Sequence, residues 1–202
     1  MKILGISGSP RKNGNTMLLL ETVLEAARAD GADTELWSAA GKNIQGCDGC
    51  WACVKTGACH LKDDLAPLYG LMAEADGIVF GTPIYFWGMT AQAKAVIDRS
   101  IAFNRAEKPL TNKVAGVVAV AGSLGLVDAL KDYAYYFVQR RMLPANMLCA
   151  YARDTEDTKQ MTGLLSDARD LGRQMVALGN KGFTYPPEFI KGPGAFGVGD
   201  RR

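Results

Sequence analysis

The chain predicts an α/β doubly wound domain, and three observations carry that expectation. Five short apolar runs end at Gly, Pro or polar turns, helical stretches with apolar residues at three- and four-residue spacing fall between them, and no internal repeat or low-complexity tract interrupts the alternation. Strand and helix alternating in this way argue for a parallel sheet covered on both faces by helices. In such sheets a ligand sits beyond the carboxyl ends of the strands, where strand order reverses.

The first strand is Lys2-Ile-Leu-Gly-Ile-Ser-Gly-Ser9, an apolar run stopped by Gly and Pro10. A helix follows from Thr16, because Met17, Leu18, Leu20, Val23, Leu24 and Ala27 recur on one face, and Gly31 marks its end. Asp33 to Ala39 reads as a second, weaker strand. Asp63 and Asp64 offer an N-cap and a first-turn acid to a helix carrying Leu65, Leu68, Leu71 and Met72. Gly77 to Pro83 is a buried strand, Ala91 to Phe103 a helix, Lys113 to Gly122 an all-apolar strand and Val127 to Met142 an amphipathic helix. Met147 to Ala152 is the fifth strand, and Asp154 to Leu178 the last helix, stopped at Gly179-Asn180. The tail over 181–202, with Tyr185-Pro-Pro187 and Gly192-Pro-Gly194, predicts no regular element, although Phe183, Tyr185, Phe189, Ile190 and Phe196 argue that part of it packs.

At 202 residues and 48% hydrophobic content, the chain is long enough for one core and short for two. Its 23 basic and 21 acidic side chains leave +2, which makes no electrostatic case for nucleic acid or an anionic membrane. No apolar run reaches the roughly 18 to 20 residues of a membrane span. The sequence opens at Met1-Lys2 straight into an apolar strand without a secretory leader, so a reducing cytoplasm is the expected setting.

The segment 47–59 reads Cys-Asp-Gly-Cys-Trp-Ala-Cys-Val-Lys-Thr-Gly-Ala-Cys and holds four of the five cysteines. Cys47, Cys50, Cys53 and Cys59 satisfy the ligand count of an iron-sulfur cubane. Zinc also takes four thiolates, but usually as two separated Cys-x-x-Cys pairs. Disulfides fit poorly with a cytoplasmic setting, and plain thiols lining a pocket remain a reading that spacing leaves open. His60, the sole histidine, either tunes such a site or is a solvated loop residue. Cys149 reads as a buried small hydrophobe, and Tyr133, Tyr135 and Tyr136 as core or subunit contacts.

Gly8-Ser-Pro-Arg-Lys-Asn-Gly-Asn-Thr16 joins the first strand to the first helix, and its chemistry is that of an anion site. Unsatisfied N–H groups at a helix N-terminus point outward with partial positive charge, and Ser9, Arg11, Asn13, Asn15 and Thr16 surround them. Neither a Walker loop nor a dinucleotide fingerprint matches, since five residues separate Gly8 from Gly14, Asn15 stands where a Walker Lys would be, and no acid ends the second strand. A single terminal phosphate remains, with a helix-capping turn as the plainer alternative. Pro83, Ile84, Tyr85, Phe86 and Trp87 follow the third strand with three consecutive aromatics, suited to a flat ring or to a small satellite core. Gly122 and Ser123 in the next loop let backbone approach the same ring. One monophosphate and one flat ring system together point to flavin mononucleotide (FMN).

These motifs, the cysteine run with Lys62-Asp63-Asp64 after it, and Gly81-Thr-Pro-Ile-Tyr-Phe86 followed by Ala93-Lys94 and Ile97-Asp98-Arg99 resemble the flavodoxin-like NADPH-dependent FMN reductase family, nearest its iron-sulfur flavoprotein branch. The resemblance implies a five-stranded sheet of order 2-1-3-4-5 over residues 1–180, a cysteine-rich insertion at 47–59, and a separate tail at 181–202. It also implies bound FMN, a [4Fe-4S] cluster on Cys47, Cys50, Cys53 and Cys59, and a homodimer or homotetramer. Electrons would pass from NAD(P)H or ferredoxin to a small-molecule acceptor such as a quinone, an oxygen species or another flavin, with no catalytic acid–base pair among the side chains. Trp87 departs from the family pattern, where a small residue is common. Two other readings stand beside a cluster-to-FMN relay: a cluster-free NAD(P)H-dependent FMN or quinone reductase, and a non-catalytic electron carrier or thiol redox sensor. Because the cysteine run follows the second strand, it is expected at the same sheet edge as the phosphate loop, within reach of the flavin.

Overall fold

The computed structural model describes residues 1–103, 108–155 and 157–190. Its elements are β1 (Lys2–Ser7), α1 (Asn15–Ala29), β2 (Asp33–Ser38), α2 (Ala52–Thr56), α3 (Leu68–Glu74), β3 (Gly77–Tyr85), β4 (Gly88–Met89), α4 (Ala91–Arg99), β5 (Val114–Ala121), α5 (Leu126–Arg140), β6 (Leu143–Tyr151), α6 (Thr162–Gly179) and α7 (Pro187–Ile190). The order β2-β1-β3-β5-β6 is parallel throughout. It is the anticipated 2-1-3-4-5 order once β4 is set aside, because β4 joins only the end of β3, antiparallel. The sheet therefore has six strands rather than five. Among the described residues no helix is long and apolar enough to cross a membrane.

Central strands β1, β3 and β5 are buried on both faces, which is why they read as unbroken apolar runs. On one face Leu19, Leu20, Val23, Leu171 and Met175 of α1 and α6 pack on Ile3, Val79 and Val118. The other face packs Phe80 between Tyr133, Tyr136 and Phe137 of α5, at ring separations of 5.5 to 5.8 Å. Tyr133 and Tyr136 are thus core residues, and Tyr135 lies exposed. Each fully buried large apolar side chain contributes about 1.5 to 3 kcal/mol relative to an exposed one.

Several boundaries differ from the sequence expectation for identifiable reasons. Asp63 and Asp64 do not cap α3, which begins five residues after Asp63. Their carboxylates are engaged elsewhere: Asp64 accepts the N–H of Asn43 at 2.8 Å, and Asp63 accepts that of Gln45 at 2.8 Å and pairs with Arg99. α4 stops at Arg99 and tightens into a 3₁₀ turn over Ser100–Phe103. β6 starts at Leu143, earlier than expected, because an edge strand tolerates Pro144. Before α6, Asp157 accepts the N–H groups of Arg153 and Asp154 at 2.8 and 2.9 Å, which folds the start of the expected helix into a separate turn. The tail contains one helical turn, α7, held by the Arg141 guanidinium on the carbonyl of Phe189 and by the N–H of Tyr185 on Asn112 Oδ1 at 2.8 Å. Gly192-Pro-Gly194 and Phe196 lie outside the described residues.

Candidate functional site

The loop after β1 is held against the sheet by backbone. Gly8 donates to the carbonyl of Gly81 at 2.7 Å, and its own carbonyl accepts from Thr90 Oγ1 at 2.6 Å. A Cβ on Gly8 would stand 2.6 Å from the Cβ of Ala93, so glycine is required where α4 approaches. Thr90 also caps α4, its hydroxyl accepting from the N–H of Ala93 at 3.1 Å. The phosphate loop and the start of α4 therefore form one unit.

Beside this unit opens a cavity of about 250 Å³ at the carboxyl ends of β1, β3, β5 and β6. Ser9, Arg11, Gly14, Asn15 and Thr16 form one wall, Pro83, Ile84 and Tyr85 a second, and Val120, Gly122, Ala152, Arg153 and Thr155 the third. The N-terminus of α1 faces this space at Gly14, Asn15 and Thr16, and no side chain caps it. At Gly14 and Gly122 a Cβ would meet nothing within 4 Å, which leaves room for a ligand to approach backbone. Arg11 and Arg153 add two positive charges, and the Nε of Arg153 is held on the carbonyl of Gly122 at 3.2 Å. Uncapped N–H groups with two guanidiniums suit a phosphate.

Of the residues expected from sequence, Asn13, Phe86, Trp87 and Ser123 are not in the wall of this cavity. Phe86 and Trp87 are the two central residues of the β3–β4 hairpin and adopt left-handed backbone at φ 50° and 67°. Phe86 is 93% exposed and packs edge-on to Trp87 at 4.9 Å, so it belongs to no satellite core. Trp87 backbone presses on Gly125, where a Cβ would come within 2.5 Å. The side chain of Asn15 holds the segment after β6, donating to the carbonyl of Asp154 at 2.7 Å and accepting from Thr158 Oγ1 at 2.9 Å. Arg153 and Thr155 were missed by sequence reasoning, although their place just past the last strand marks them as rim residues.

The cysteine segment forms a second cavity of about 330 Å³, and Cys47, Cys50, Cys53 and Cys59 all line it, together with Trp51, His60, Leu61, Asp98, Arg99 and Ile101. All five cysteines are free thiols. Burial raises the pKa of Cys53. The Ala52 N–H favours the Cys50 thiolate, but Asp48 and burial outweigh it and raise the pKa of that thiol. Asp48 falls to about 2 through hydrogen bonds from the Cys50 thiol and N–H and from His60. His60 therefore has a partner that spacing did not reveal, its Nε2 lying 2.6 Å from Asp48 Oδ2. Asp48, Cys50 and His60 bring their ligand atoms within 4.8 Å of one another.

What anchors this segment is the ion pair of Arg99 and Asp63, whose side chains are both 0% exposed. Arg99 Nη1 also donates to the carbonyl of Gln45 at 3.1 Å. Burial opposes both charges, yet the paired hydrogen bonds outweigh it: the Asp63 carboxyl lies below its usual range and the Arg99 guanidinium above. α4 thus meets the phosphate loop at its N-terminus and the cysteine cavity at its C-terminus. Its nine residues separate the two by roughly 13 Å at 1.5 Å per residue.

The residues present fit the two groups the sequence suggested. The uncapped α1 terminus, two arginines and open glycine positions suit a flavin phosphate, and four thiols around one cavity with a buried cation in its wall suit an anionic iron-sulfur cluster.

Sheet order and cleft define a flavodoxin-like α/β protein with a cavity at its switch point. The family profile for NADPH-dependent FMN reductase matches residues 1–152. An iron-sulfur flavoprotein of Methanocaldococcus jannaschii is 46% identical over 123 residues, 61% of this chain and 63% of that protein. One from Archaeoglobus fulgidus is 37% identical over 150 residues, 73% of this chain and 74% of its own. The first of these matches thus spans less than two thirds of the relative's length. Among solved structures, RosB with bound 8-demethyl-8-formylriboflavin-5'-phosphate superposes with a TM-score of 0.74 at 17% identity, covering 90% of this chain and 79% of RosB, a likeness of fold. The chain belongs to the NADPH-dependent FMN reductase family, alongside its iron-sulfur flavoproteins.

Proposed function

We propose that this protein is a flavin-dependent oxidoreductase that binds FMN in the cleft at the strand ends, and that relays single electrons through a [4Fe-4S] cluster held by Cys47, Cys50, Cys53 and Cys59. The observation that carries the reading is the gathering of all four cysteines around one cavity, one helix length from an anion-binding cleft. Bound FMN exchanges electrons singly or in pairs, which suits it to join a one-electron donor to a two-electron acceptor. The α1 terminus with Ser9, Thr16, Arg11 and Arg153 holds the phosphate, and Asn15 fixes the loop that carries Arg153. Pro83, Ile84 and Tyr85 flank the ring, and Gly122 lets it lie against backbone. Arg99 and Asp63 hold the cysteine segment onto α4.

The setting is cytoplasmic, and the electron donor is NAD(P)H or ferredoxin, with a small-molecule acceptor. Phe86 and Val127, 93% and 68% exposed, leave apolar surface that a homodimer or homotetramer would cover. Anaerobic purification followed by iron, sulfide and FMN assays with a visible spectrum tests the assignment. Stoichiometric FMN with four irons per chain is the expected result. FMN without iron after reconstitution would replace it with the cluster-free reductase, which rapid mixing with NADPH then checks by bleaching of the flavin.

A further inference from the structure

Two buried donors with no acceptor stand at the cysteine cavity, one in its wall and one beside it. Arg99 is 1% exposed and lines the cavity. Its terminal nitrogens serve Asp63 and Gln45, but its Nε–H has no partner. The Tyr69 hydroxyl is likewise buried and unpartnered. It lies beside the Arg99 guanidinium and the Cys59 thiol, without a well-formed hydrogen bond to either. Its ring is fixed edge-on to Phe103 at 5.7 Å. Each unsatisfied buried donor costs about 1 to 3 kcal/mol. Two side by side, with the Cys59 sulfur next to the phenol, are explained if that sulfur carries negative charge and accepts.

We propose that Tyr69 is a positioning residue for the metal centre: its hydroxyl donates to the Cys59 sulfur once that sulfur is a thiolate ligand, and Arg99 stands behind it as a fixed positive charge. The inference rests on the cluster reading above and deepens it. Donors to ligand sulfurs and nearby cations stabilise the state with the extra electron, so they raise the reduction potential of a cluster. The wall therefore makes the centre easier to reduce by one electron, with no bond made or broken in the protein.

The test compares anaerobically reconstituted wild type with Tyr69→Phe and Phe103→Leu, reading the midpoint potential of the cluster by EPR-monitored titration, with the flavin potential as an internal control. Tyr69→Phe keeps the ring and its contact with Phe103 and removes only the donor. The expected result is a lower cluster potential in Tyr69→Phe alone, with iron content and flavin potential unchanged. Full iron with an unchanged potential in Tyr69→Phe overturns the proposal, as does an equal shift in Phe103→Leu, which would trace the effect to packing. Wild type that takes up no iron overturns the cluster reading itself, and the iron assay distinguishes that failure from the other two.

Discussion

The cleft at the strand ends is walled by loops on the rim of the sheet, whereas the cysteine cavity is walled mostly by the long connection between β2 and α3. Ser9 and Thr16 in the first are nearly fully buried, and Gly8, just before them, is tied to Gly81 and Thr90. In the second, Cys47, Cys50 and Trp51 are exposed. Its segment is tied down by two aspartate-to-backbone bonds and the Arg99–Asp63 pair. Sheet register maintains the first site whatever is bound there. The second depends on a few side chains and on what the thiols hold.

Breaking each support separately tests that contrast. The largest effect is expected from Cys50→Ser, which should abolish iron retention on reconstitution while FMN binding, measured by fluorescence titration, stays at the wild-type level. Loss of both would mean that the sites fold as one. Next, Asp63→Ala strands the Arg99 charge in the interior and should lower unfolding free energy by about 3 to 5 kcal/mol in urea titration. Acid should act on the same contact. The Asp63 carboxyl is depressed in the folded state, so its contribution is complete above its unfolded pKa of about 4 and is lost as pH falls through the lower folded value. Stability of wild type, but not of Asp63→Ala, should carry that acid-side slope.

A smaller effect is predicted on the other side of the comparison. Arg153→Ala should weaken FMN binding roughly tenfold, about 1.4 kcal/mol, by calorimetry, with iron content unchanged. The smallest is Thr90→Ala, which removes the α4 cap and should cost about 1 kcal/mol of stability. Because α4 serves both sites, this variant should loosen FMN and iron together, and an effect confined to one of them would show that the helix does not couple them.

Much of the cleft was legible because its cues are local. A buried apolar strand, a loop of Ser, Arg and Asn, and a helix onset lie within fifteen consecutive residues, and the structure places them as the sequence suggested. Less legible were residues whose role depends on distant partners. Asp63 looked like a helix cap and proved to be the counter-ion of Arg99, 36 positions away. Asn15, expected at the phosphate, does line the cleft, but its side chain also holds Asp154, 139 positions away. Trp87 and Phe86 looked like a stacking platform, but the tight hairpin to β4 turns Phe86 into solvent.

By itself the sequence determined the alternation of strands and helices and the parallel order, because hydrophobic period and loop composition act within a few residues of each other. Only the tertiary structure decided that the four cysteines share one cavity, that Arg153 joins the wall of the cleft, and that Tyr69 lies beside Arg99 and Cys59. Those meetings depend on where strand ends and helix ends come to rest after long-range closure, and no local pattern records that distance.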